Sequence, residues 1–232
     1  MQLSLTATEV RVLGALLEKE ATTPDAYPLT LNALVTACNQ TTGREPVLSL
    51  TDDEVMDALD SLRPEKLVRI VHPQTGARTA RYRHVLHEAW DLDSARRAVV
   101  GLLALRGPQT ASELRARSDR MHTFADAEKV HALLEELAAP PNDDYREVQL
   151  PALVVLLPRV PGQREARWVH LLSGDVDVDA VAATTAASAP STRRTADAER
   201  IDALEARVGA LGARLAALEA SLGLDPAPVD TP

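Results

Sequence analysis

A thiol with a base in reach makes a nucleophile, and imidazoles at close spacing make a metal site. The chain has one cysteine, Cys38, and six histidines: His72, His84, His87, His122, His131 and His170. No histidine stands near Cys38 in sequence. The thiol therefore reads as a small buried apolar group at a helix end. Only His84 and His87 lie close together, at a strand-to-loop junction, which is a weak basis for a metal. No glycine-rich phosphate cradle is present. Carboxylates abound, but on predicted exposed helix faces. The expectation is a protein that is not an enzyme and that needs no cofactor and no metal.

Binding chemistry is better represented. The stretch "LTDDEVMDALDSL" places Asp52, Asp53, Glu54, Asp57 and Asp60 on the outer face of a predicted helix, with no basic residue before Arg63. Its counterpart later in the chain, "DAEKVHALLEEL", is also acidic, relieved only by Lys129 and His131. Such faces repel phosphates and suit a protein partner. Positive charge lies elsewhere: Arg78, Arg81 and Arg83 on one predicted hairpin, Arg159, Arg164 and Arg167 on another. Arg115, Arg117 and Arg120 share a short helix but fan around it. Hairpin arginines can follow a phosphate backbone. They can equally pair with the acidic helices, within a chain or across a dimer. The stretch "ACNQTTGREPV", Ala37 to Val47, is a longer loop than a turn between helices needs. Asn39 can close a helix in the left-handed conformation, Gly43 permits a tight turn, and Pro46 favours an extended Glu45. Gln40 and Arg44 are expected to face outward. The loop either sets the angle between helices or grips a partner through Arg44.

The elements that must position these residues are legible from periodicity. Thr8 to Glu20 is a predicted helix, with Val10, Val12, Leu13, Leu16 and Leu17 as its apolar stripe and Thr6 or Thr8 as its cap. Leu29 to Cys38 is a second helix and Leu50 to Leu62 a third, capped by Thr51 with Glu54 closing a capping box. "LVRIVH" and "TARYRHVL" read as the two strands of a hairpin around "PQTGAR". The same order recurs: helices over Ser94 to Arg106, Ser112 to Met121 and Asp126 to Leu137, then strands near Val148 to Leu157 and Ala166 to Leu172. "EVMDALDSL" aligns with "KVHALLEEL", and "ARYRHVL" with "ARWVHLL". Such self-similarity marks a structural repeat. The fold class is mainly α with small β-hairpin wings (α+β): tandem winged helix-turn-helix domains over 1–90 and 91–175, with a boundary near Glu88 to Asp93.

The composition changes after Asp175. Residues 176–199 read as a flexible linker, 200–223 as a coiled-coil helix and 224–232 as a disordered tail. Ile201, Leu204, Val208, Leu211, Leu215, Leu218 and Leu222 alternate at spacings of three and four. β-branched a positions with Leu at d favour a parallel dimer. Gly209 and Gly212 weaken that helix by about 1 kcal/mol each relative to Ala, so it can instead pack on its own chain. Over all 232 residues, aromatics are 3% and hydrophobic residues 45%, so Leu, Val and Ala build the core. A net charge of −9 argues against uniform binding to nucleic acid or anionic membrane. No signal peptide and no membrane-spanning run is evident, which points to a cytoplasmic protein.

The stretches "LTATEVRVLGALLEKEATTPDAYPLTLNALVTACNQTTGREPV", "LRGPQTASELRARSDRM" and "REARWVHLLSGDV" resemble the YceH-like family of uncharacterised bacterial proteins. The resemblance runs from about Leu3 to Leu222. It implies a bacterial source and a tandem winged-helix fold with a C-terminal coiled coil, and it carries no functional residue. The residues themselves favour an interaction or regulatory protein that meets a protein partner through Gln40, Arg44, Asp53, Asp57 and Asp60. The alternative is a DNA-associated regulator that touches phosphates through Arg78, Arg81, Arg83, Arg164 and Arg167.

Overall fold

The first helix, α1 (Ala7–Thr22), begins where Thr6 accepts a hydrogen bond from the Glu9 amide and the Glu9 carboxylate accepts one from the Thr6 amide. Caps of this kind stabilise a helix by about 1 kcal/mol. A short 3-10 turn (Pro24–Ala26) leads to β1 (Leu29–Thr30), which runs directly into α2 (Leu31–Cys38). Next come α3 (Asp52–Leu62), β2 (Val68–Val71), β3 (Arg81–His84) and the short α4 (Leu86–Trp90). The second half has α5 (Ser94–Arg106), α6 (Ala111–Ser118), α7 (Ala127–Ala138), β4 (Val154–Leu156) and β5 (Trp168–His170). This computed structural model describes residues 4–72, 79–90, 92–139, 151–159 and 163–176. The expected linker from residue 177 on, the heptad helix with its seam, the tail, and Arg78 lie outside them.

The α+β class follows from these elements. The capping box at Thr51 and Glu54 is present as expected. Two small elements were not legible. β1 is two residues long, too short for any periodicity, and α4 is only five. β1 pairs with β3 and β3 with β2, giving an antiparallel sheet ordered β1-β3-β2. In the second half β4 pairs with β5, and a single bridge between Gln109 and Trp168 stands where β1 stands in the first.

The repeat is visible bond by bond. In the first half Leu67 donates its amide to the Leu62 carbonyl and Val85 donates to Leu67. In the second, Leu153 donates to Leu137 and Leu171 donates to Leu153. Tyr82 and Trp168 occupy matching buried places on β3 and β5. Beneath them, Met56 and His131 lie at matching positions of α3 and α7: the Tyr82 hydroxyl is 3.6 Å from the Met56 sulfur, and the rings of His131 and Trp168 are 5.7 Å apart.

The two halves share one compact unit, with α1 at its centre. Val10, Val12, Leu13, Ala15, Leu16 and Leu17 are all buried, more than one apolar stripe. One side of α1 meets α2 and α3; the other meets α5. The α1–α5 crossing is close because each helix offers a glycine. A Cβ on Gly14 would stand 3.0 Å from the Ala104 Cβ, and one on Gly101 would stand 3.2 Å from the Leu17 Cβ. Packing this tight leaves no room for an added methyl without displacing a helix.

Candidate functional site

The loop after α2 faces inward. Arg44 is buried, and all five of its N–H donors are used. Its Nε donates to the Ala37 carbonyl at 3.0 Å. One terminal nitrogen donates to Glu18 Oε1 and to the Gly43 carbonyl, the other to Glu18 Oε2 at 2.6 Å and to Gln40 Oε1. Burial pushes the Glu18 carboxyl up. Hydrogen bonding and charge from Arg44, helped by Lys19, reverse this and leave it below the usual carboxylate range. Arg11 is buried beside it and donates to the Cys38 and Pro46 carbonyls. Two guanidiniums thus close the C-terminal end of α2, where unpaired carbonyls and the helix dipole favour cations.

The expectation that Gln40 and Arg44 face outward is therefore corrected. Gln40 is half-buried and accepts from Arg44 and Lys19. Asn39 does close α2, but at φ −93° and not in the left-handed region. Its amide instead exchanges two 2.8 Å hydrogen bonds with the Leu50 backbone and pins the far end of the loop. Gly43, at φ +74°, makes the turn. The Glu45 amide donates to the Leu105 carbonyl of α5, so the loop also ties the first half to the second. Cys38 is buried beneath it, and burial pushes its thiol up to about 12, far from a thiolate at neutral pH.

The acidic helix face is where the sequence places it. Asp52, Asp53, Glu54, Asp57 and Asp60 are all exposed. The first three sit in the first turn, where the helix dipole favours negative charge, and Thr51 holds the Glu54 carboxyl low by hydrogen bonding. Asp57 and Asp60 gain nothing from that end of the helix. Asp60 has Arg63 at 3.0 Å. Asp53, Asp57 and Asp60 fall at i, i+4 and i+7 and form one stripe. On α7 the matching positions are Glu128, Ala132 and Glu135, a weaker version of the same face.

The hairpin arginines divide. Arg81 donates to the Pro28 carbonyl at 2.8 Å, and Arg167 donates to the Pro108 carbonyl at 2.9 Å. Each fastens the last strand of its half to the segment before the second helix. Arg167 also makes a two-pronged pair with Glu113 of α6 at 2.8 and 3.0 Å. Arg81 has no such carboxylate, because Ala33 stands at the matching position of α2. Arg83 reaches His87 at 3.2 Å and Glu88 at 3.8 Å. Arg164 is exposed, with no ion pair among the described residues. The pairing of hairpin arginines with acidic third helices is thus not what these contacts show: the carboxylates belong to α4 and α6. The third helices pair instead with Arg63 and, through Glu136 at 2.6 Å, with Arg96.

A polar cluster between the halves escaped sequence reasoning. His84 is fully buried; its Nε2 lies 2.8 Å from Glu20 at the end of α1, and its Nδ1 accepts from the Leu86 amide. The accepting Nδ1 leaves the proton on Nε2, facing the carboxylate. Arg97 of α5 lies 3.7 Å from the same Glu20 oxygen. Burial raises the Glu20 carboxyl, but His84 and Arg97 bring it below its ordinary value. Among the described residues, no group of three or more His, Cys, Asp or Glu is placed to hold a metal, and no helix is long and apolar enough to cross a membrane.

These features define an α+β protein of two repeated helix–hairpin halves, with an acidic helix face and with cationic side chains largely spent on its own framework. Comparison with known proteins places the chain in a family. Residues 5–163 match the family described as a protein of unknown function, DUF480, and the chain belongs to it. It is 53% identical over 174 residues to a UPF0502 protein of Chromobacterium violaceum, covering 75% of this chain and 74% of that one. A UPF0502 protein of Leptothrix cholodnii is 48% identical over 188 residues, covering 81% and 79%. One from Burkholderia multivorans is 49% identical over 185 residues, covering 80% and 74%. The family of uncharacterised bacterial proteins that the sequence resembles is thereby established as its own.

Proposed function

We propose that this chain is a non-enzymatic, cytoplasmic interaction protein built on two winged-helix halves, and that it meets a basic protein segment through the outer face of α3. One observation carries the reading: Asp53, Asp57 and Asp60 form an exposed stripe on the helix that, in a DNA reader of this layout, would enter the major groove. Carboxylates there repel phosphates and attract lysines and arginines. The order helix, short strand, helix, helix, hairpin in the first half supports the winged-helix assignment, and the matched hydrogen bonds extend it to the second. The heptad pattern from Ile201 to Leu222 supports a homodimer, which would present two such faces.

A photo-crosslinking residue in place of Asp57 tests this in cells, with one in place of the exposed Asp25 as control. A discrete protein adduct from position 57, absent from position 25 and weakened by Asp53→Asn/Asp60→Asn, is the expected result. Absence of any adduct particular to position 57 overturns the reading. The second reading, a DNA-associated regulator working through its hairpins, is favoured by one observation. Arg81 and Arg164 are exposed and have no carboxylate partner among the described residues.

A further inference from the structure

The outer face of the first sheet carries a set of arginines that the second half lacks. Side chains alternate along a strand. On β3, Tyr82 and His84 are buried, so Arg81 and Arg83 point outward. On β2, Val68 is buried and Arg69 is exposed. Arg69 and Arg83 are direct cross-strand partners, and Arg81 is two residues along on the same face. Three guanidiniums therefore share one side of a small sheet. At the corresponding places the second half has Val155, Arg167 and Val169, and its one arginine is held by Glu113.

Like charges directly opposite each other destabilise a strand pair. Here one residue from outside the sheet relieves them. Glu88, on α4, receives two hydrogen bonds from Arg69, at 3.1 and 2.7 Å, and stands 3.8 Å from Arg83. His87, its neighbour, takes a hydrogen bond from Arg83. The pair is open to water: Arg69 is 56% exposed and Glu88 42%. A solvated carboxylate binds such a fork weakly enough to be displaced by a competing anion. The helix that carries Glu88 is short, and it is held by buried Leu86, by Ala89 and Trp90 against the core and by the Val85 carbonyl, so only the outward Glu88 side chain is free to exchange partners.

We propose that Arg69, Arg81 and Arg83 form a docking face for the phosphate backbone of duplex DNA, and that Glu88 is its built-in competitor, quenching Arg69 and Arg83 until a phosphate displaces it. This rests on the second reading above. It places the contact on the outer face of the first sheet, adds Arg69, and leaves the second hairpin out of the contact. Charge complementarity selects the occupant: the guanidiniums on this face match phosphate oxygens, a carboxylate already lies between Arg69 and Arg83, and Arg81 keeps donors beyond the one it spends on the Pro28 carbonyl. Against a net charge of −9 the face is local, so the binding it gives must depend steeply on salt.

The test uses the full-length protein and a fluorescein-labelled duplex of mixed sequence, followed by anisotropy at several salt concentrations. Glu88→Gln keeps the size of the side chain and removes its charge. It should bind about three- to tenfold tighter than wild type, with a salt slope steeper by about one to two phosphate contacts. Adding Arg69→Gln/Arg83→Gln should abolish the gain. If Glu88→Gln does not fold, Glu88→Asp serves in its place, because the shorter carboxylate cannot span both arginines. Binding by wild type that the Glu88 variants leave unchanged overturns the quenching role alone. Absence of binding by wild type and Glu88 variants at low salt overturns the DNA reading as well.

Discussion

The two halves of this protein share a skeleton and differ in what their polar side chains do. Both join the third helix to the first hairpin strand, and the second strand to the first, through matching backbone hydrogen bonds. Both fasten the last strand with an arginine on a proline carbonyl. Yet the first half buries an arginine in its α2–α3 loop, whereas the second buries Gln109, which donates to the Leu102 carbonyl and accepts from Arg117. The first half pairs its buried histidine with Glu20, whereas the Nδ1 of the matching His170 is buried with no hydrogen-bond partner among the described residues. Backbone groups must be satisfied in any copy of a fold, so their partners persist between repeats. Side-chain networks are free to diverge, and there each half takes on a separate task.

The sharpest way to break the comparison is to remove the piece with no counterpart. Arg44→Ala leaves the Glu18 carboxylate with Lys19 alone and strands the Ala37 carbonyl, and should cost about 3 kcal/mol, read from urea unfolding. A cost below about 1 kcal/mol would mean that the clamp is incidental. Matched core truncations come next. Leu59 and Leu134 occupy equivalent, fully buried places. Leu59→Ala and Leu134→Ala should each cost about 3 kcal/mol, in one shared transition, because α1 and α5 bind the halves through close glycine contacts. Two separate transitions would show that the halves unfold independently.

One buried histidine makes the second half sensitive to pH. Burial pushes His170 down from 6.5 to about 4. The unfolded chain thus takes up its proton first as pH falls, and stability is lost between about 6.5 and about 4. His170→Gln should flatten this part of the stability–pH profile; a profile as steep as wild type would place the sensitivity elsewhere. The smallest difference expected is at the strand fasteners. Arg167→Ala loses a carboxylate pair that Arg81→Ala does not, and should cost about 1 kcal/mol more, measured side by side by thermal unfolding. Equal costs would mean that Glu113 contributes nothing through Arg167.

How much of this was legible varies by element. The start of α3 follows from Thr51 with Glu54, whose capping chemistry is local, and the bounds of α5 match the expected Ser94 to Arg106. The exposed stripe of Asp53, Asp57 and Asp60 follows from helical spacing alone. Arg44 goes inward against expectation because arginine is rarely buried, and only its five simultaneous hydrogen bonds, to four partners, make burial tolerable. Those partners come from α1, α2 and the loop itself, and no local pattern announces them. Glu88 gives no sign of its partner in the sequence, since nothing in "VLHEAW" shows that Arg69 lies across from it.

The sequence by itself determined the six longer helices, the caps at the starts of α1 and α3, the repeat and the family, because periodicity, capping and motif identity act over a few residues. Tertiary structure alone decided which charges are spent. It sends Arg44 inward, fastens Arg81 and Arg167 to proline carbonyls, and sets Glu88 against Arg69 and Arg83. The physical reason is reach. A hydrogen bond or ion pair acts over a few ångströms of space, and only the folded chain brings Glu18 to Arg44, or Glu20 to His84 and Arg97, across so many residues of sequence.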